Sequence, residues 1–153
     1  MKEYSKILIF SFICSLCPIH SCAVENSEKL SFSNNEQNGM VRFQAFLHGN
    51  LEPDRREKNY NFTVKQAENI RGIFQIDSTN PDLRIRLIQK SFPFDTGTDC
   101  TNTNSGNTYS CKIEINHLGK ADYRLRVFGD FKTNRSSFNL FAGIFGNGYV
   151  HIE

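Results

Sequence analysis

The side chains of this sequence that could carry chemistry are few and scattered. His48, His117 and His151 lie far apart, with no second ligand at metal-binding spacing and no serine or acid beside them in a nucleophile turn. Glycine-rich phosphate loops, calcium loops and zinc signatures are missing. Catalytic sites usually gather titratable groups that perturb one another, and no such gathering is visible here. The sequence therefore predicts a protein that is not an enzyme and uses no cofactor or metal. A triad assembled in space from distant residues stays open.

The stretch "CTNTNSGNTYSC", residues 100–111, poses a sharper question. Of the five cysteines, Cys14, Cys17 and Cys22 lie in an N-terminal stretch that reads as a leader, leaving Cys100 and Cys111. A zinc site would need two further soft or imidazole ligands close by, and a reactive thiol would be expected to lack a partner in the same loop. The pair is expected to form a disulfide. Closing a loop of this size is worth about 3 kcal/mol in the chain-entropy model, and the reading makes the segment a tied-down surface excursion.

That reading depends on compartment. The chain opens "MKEYSKILIFSFICSLCPIHSCAVEN", with two lysines in a short polar head, an apolar run from Ile7 to about Ile19 and a small-residue end. This is the pattern of a secretory signal peptide over residues 1–23, cleaved after Ala23 with Ser21 and Ala23 at the small-residue positions. It implies a periplasmic or secreted, disulfide-permissive location. The rival reading takes "IHSC" as a lipoprotein box with lipid on Cys22. No later segment reaches the roughly 20 apolar residues of a transmembrane helix. Loss of the leader takes Lys2, Lys6 and Glu3 with it and lowers the formal charge from +2 to +1. Nucleic acid is thereby argued against as the main partner, because phosphate binding needs a strong basic excess.

The elements that must position these residues are strands. Residues 24–38 are polar without a sustained period and read as a flexible lead-in. From residue 39 to 153 the period becomes two. Runs occur at "MVRFQAFL", "NYNFTV", "IRGIFQI", "DLRIRLI", "CKIEI", "YRLRV" and "FNLFAGI", with a possible last one at "GYVHI". Each alternates, favours β-branched or aromatic residues, and is bounded by Gly, Asn, Asp or Pro. Seven or eight such strands predict one all-β domain, an antiparallel β-sandwich of jelly-roll-like packing. The fourteen phenylalanines are expected mostly on the inward parity, as the core. The outward parity carries Arg84, Arg86, Arg124 and Arg126, a basic stripe if the two strands are neighbours, with surface carboxylates such as Glu114 as counter-ions.

On these residues the chain resembles a known group. The order "HGNLEPDRREKNYNFTVKQAENI", "DLRIRLI" and "LGKADYRLRVFGDFKTNRSSFNLFAGI", about residues 43–144, is similar to the bacterial periplasmic inhibitors of goose-type and invertebrate-type lysozymes. It is also similar to the bacterial pre-peptidase C-terminal domain. An exported domain standing alone points toward the inhibitors. The resemblance implies that a loop enters the lysozyme cleft, falling here on Leu118, Gly119, Lys120 and Tyr123. A second loop, Lys132, Thr133, Asn134 and Arg135 before the aromatic Phe138, would assist. Leu118 stands where the family pattern has serine, and three residues separate Gly119 from Tyr123. The function implied is occlusion of a lysozyme active site; the alternative is a non-catalytic, pre-peptidase-like accessory module of the cell envelope that recognises glycan or protein.

Overall fold

The computed structural model describes residues 27–37, 40–66, 69–105, 107–130, 135–147 and 150–153. The stretch expected to be a leader, residues 1–23, lies outside them. Twelve strands are present: β1 (Ser27–Lys29), β2 (Ser33–Gln37), β3 (Met40–Leu51), β4 (Glu57–Gln66), β5 (Ile70–Ser78), β6 (Arg84–Lys90), β7 (Thr96–Asp99), β8 (Thr101–Ser105), β9 (Thr108–Ile115), β10 (Ala121–Phe128), β11 (Ser136–Asn147) and β12 (His151–Ile152). They form two sheets packed face to face. The first runs β1-β4-β10-β6-β7, with β12 also on β4; the second runs β2-β3-β11-β5-β9-β8. All pairings are antiparallel except the parallel β1–β4 pair. The chain is an all-β sandwich.

Alternation dictates the core. Tyr60, Phe62 and Val64 of β4, Leu125 and Val127 of β10, and Ile85 and Leu87 of β6 point inward from the first sheet. Phe74 and Ile76 of β5, Ile113 of β9, and Leu140, Ala142 and Ile144 of β11 meet them from the second. Phe62 joins the layers, stacked on Tyr123 at 5.2 Å and on Phe74 at 5.8 Å between ring centroids. Burying each of these side chains is worth about 1.5–3 kcal/mol.

Two expectations are corrected. The lead-in over residues 24–38 contains β1 and β2, and Leu30 is buried with its amide donating to the Asn61 carbonyl at 2.8 Å. An edge strand is held by backbone pairing and a few anchors, here Leu30 and Phe32, so it needs no side-chain period. The phenylalanines divide as well. Phe43, Phe62, Phe74 and Phe138 are core, whereas Phe46, Phe92 and Phe94 are exposed.

The disulfide forms as expected. Cys100 lies where the chain passes from β7 of the first sheet to β8 of the second, and it is bonded to Cys111 in the interior of β9. The segment between is an ordered β8–β9 hairpin rather than an irregular excursion. The bridge thus pins the corner joining the two sheets, and the Cys100 amide donates to the Ile85 carbonyl at 3.1 Å beside it.

Candidate functional site

The loop before β10 is anchored by the residues that sequence placed at its tip. Leu118 is buried, with its amide on the Ile70 carbonyl at 2.8 Å. Tyr123 points into the core and its hydroxyl donates to the Gly119 carbonyl at 2.8 Å; burial pushes its pKa upward, the hydrogen bond opposing this. Their side chains hold the loop from beneath and offer no outward surface. Gly119 and Lys120 are exposed, and Lys120 makes no ion pair among the described residues. The second loop follows the other end of β10, a strand about 25 Å long, and of that connection only Gly129, Asp130 and Arg135 are described. Lys132, Thr133 and Asn134 lie outside the described residues, Arg135 is paired to Glu52 at 3.0 Å, and Phe138 is core.

The arginines are brought together. β6 and β10 are neighbours, with Arg86 directly opposite Arg126 and Arg84 opposite Phe128. Like charges facing one another across a ladder are unfavourable unless flanked by acids. Glu57 takes Arg126 and Asp99 takes Arg86 at 3.6 Å, Arg84 bonds the carbonyls of Pro81 and Leu83, and Arg124 reaches Asn61 at 3.4 Å. Glu114 is not among these partners; it lies on the second sheet with Lys112, which holds its carboxyl below the usual range. The stripe is a solvated face in which Arg86 and Arg126 are paired with carboxylates.

The outer face of the second sheet is different in character. Register places His48, Asn139, Asp77 and Ser110 in one row across β3, β11, β5 and β9, and Phe46, Phe141, Gln75 and Lys112 in the next. In the polar row, His48 Nδ1 and Asn139 Oδ1 lie 2.9 Å apart, while Gln75 Nε2 (2.9 Å) and Ser110 Oγ both donate to Asp77 Oδ1. In the aromatic row, Phe46 and Phe141 meet at 5.0 Å between centroids, and Phe46 is 71% exposed. A third row has glycine at its centre. A β-carbon on Gly143 would stand 2.7 Å from the Phe141 ring and 2.8 Å from the Phe145 ring, so the missing side chain is what lets both rings lean over the strand. Arg71 lies over Phe145 at 5.5 Å, close enough for a cation–π contact.

Between the aromatic and polar rows is an open hollow of about 390 Å³, lined by Phe46, Phe141, His48, Asn139 and Asp77 among others. A smaller one of about 190 Å³ adjoins it, sharing His48, Asp77 and Asn139. The Ser110 hydroxyl is held by a carboxylate and the His48 ring by an amide, whereas a serine nucleophile is activated by a neighbouring base. Among the described residues no cluster of His, Cys, Asp and Glu is arranged to hold a metal ion. What the row offers instead is a set of donors and acceptors beside ring faces. Sequence reasoning missed this surface, although the parity of Phe46, Phe141 and Phe145, opposite to that of the inward residues in the same strands, was the available signal.

With the geometry in hand, no protein-family model matches the chain and no curated protein matches it. Among solved structures the chain is similar to the pre-peptidase C-terminal domain of a collagenase from Bacillus anthracis, with a TM-score of 0.47 and 14% identity over 76% of this chain and 93% of that domain. The class defined by the fold is an antiparallel β-sandwich. No helix among the described residues is long and apolar enough to cross a membrane.

Proposed function

We propose that this chain is an exported, non-catalytic binding module that takes up a glycan on the outer face of its second sheet. The observation that carries the reading is the exposed Phe46 ring on the half-buried Phe141, set against the His48–Asn139–Asp77 row across one hollow. A pyranose ring has an apolar C–H face and a polar hydroxyl rim. Ring faces bury the first, and mixed donors and acceptors satisfy the second, so that no hydroxyl is desolvated without a partner. An open, shallow surface suits a polymer lying across the strands better than a small molecule, which is usually largely enclosed.

Lysozyme occlusion, implied by the sequence resemblance, draws no support from Leu118 and Tyr123, whose side chains are buried. One experiment separates the two. Affinity electrophoresis through gels containing peptidoglycan fragments, chitin derivatives or other soluble polysaccharides is expected to retard the chain with at least one of them. Phe46→Ala should weaken the retardation about tenfold, as loss of one stacking ring implies. A chain that no polysaccharide retards, but that blocks clearing of a bacterial suspension by goose-type or invertebrate-type lysozyme, would replace the proposal with occlusion.

A further inference from the structure

The β6–β7 connection carries the most exposed apolar side chains among the described residues. Phe92 is 101% exposed and Phe94 80%, and every residue from Ser91 to Asp99 is open to solvent. The loop is nevertheless ordered by its own polar groups. Lys90 Nζ bonds Asp95 Oδ2 at 2.7 Å, the Ser91 amide bonds Asp95 Oδ1 at 3.3 Å, and Ser91 Oγ donates to the Phe94 carbonyl. These contacts turn the hydrogen-bonding groups inward and leave the two rings at the apex. A convex apex cannot enclose a ligand; it can only be inserted into something.

Charge at the same end indicates what. The β6–β10 ladder ends at the Asp122–Lys90 rung, and Phe92 and Lys120 each lie two residues beyond it, in the loops that extend these adjacent strands. Around them two acids are paired with lysines, Asp95 with Lys90 and Glu153 with Lys65 at 3.2 Å, and Asp122 accepts a hydrogen bond from the neutral Thr63 hydroxyl at 2.6 Å. Lys120 alone of this group's lysines has no such partner among the described residues. An apolar apex with a spare cation at its base follows the polarity gradient of a phospholipid interface, with rings at the acyl boundary and ammonium at the phosphates.

We infer that the Phe92–Phe94 loop is a membrane-insertion tip that docks this protein on an anionic phospholipid surface, independently of the glycan-binding face. The sequence contains no tryptophan, so Phe94→Trp places a single indole reporter at the tip of the whole chain. With vesicles of phosphatidylglycerol and phosphatidylcholine, its emission should shift to the blue and be quenched by brominated acyl chains. In flotation assays Phe92→Ala/Phe94→Ala should bind about tenfold more weakly or worse. Lys120→Ala should lose about fivefold, and only where phosphatidylglycerol is present. Both phenylalanines are exposed, so the thermal midpoint should hold and unfolding would not confound the result. An unshifted indole, equal flotation of the double variant and wild type, or an unchanged Lys120→Ala would overturn the assignment. The first of these, with the tip instead protected in a protein complex, would make it a plug for a protein pocket.

Discussion

Tyr60 shows how a single residue ties the core to solution conditions. Its ring is sealed between the sheets, and burial, with Glu28 adding to it, raises its pKa to about 12. A phenol whose folded pKa lies above its unfolded value of about 10 contributes stability that is complete below pH 10. That contribution is lost as pH climbs toward about 12. Thermal melts across this alkaline window should therefore show a falling midpoint, with a shallower fall in Tyr60→Phe; identical slopes would mean the phenol is not sealed. At this scale the sequence was a fair guide to the core. Tyr60, Phe62, Leu125 and Ile144 all point where alternation says. Tyr123, assigned to a target by resemblance, is core by the same alternation rule, and Leu118 is buried from the loop that precedes its strand.

Strands with an apolar face were legible, and strands without one were not. β3, β4, β5, β6, β9, β10 and β11 each show period two because one face is buried. β1 (SEK), β2 (SNNEQ), β7 (TGTD) and β8 (TNTNS) contain no large apolar residue, and their sequences look like loop because backbone pairing and polar contacts, rather than a buried face, hold them. The cysteine pair was legible from composition, but its location at the crossing between sheets was not, since that depends on which edge the chain leaves. This location raises its importance for the fold. Cys100→Ser/Cys111→Ser is expected to lose about 3 kcal/mol, read as a lower urea midpoint with the slope nearly unchanged. Loss of less than about 0.5 kcal/mol would show that the β7–β8 corner is held without the bridge.

For the molecule as a whole, the arginine face, the aromatic second face and the phenylalanine tip are separate surfaces on one core, so changes at one should leave the others intact. The four strands without large apolar residues occupy the outermost positions of both sheets: β1 and β7 in the first, β2 and β8 in the second. Each leaves a row of unpaired amides and carbonyls that another chain could extend. A template of that kind needs sticky side chains to recruit a neighbour, and serine, threonine, asparagine and acids supply none. The same polarity that hides these strands in the sequence keeps the folded protein from polymerising sheet to sheet. Thr101→Val/Thr103→Val would place two β-branched apolar residues on such a border. Light scattering of concentrated, folded protein should then rise over hours while the wild type stays clear. A clear double variant would indicate that aggregation is restrained by something other than the composition of the borders.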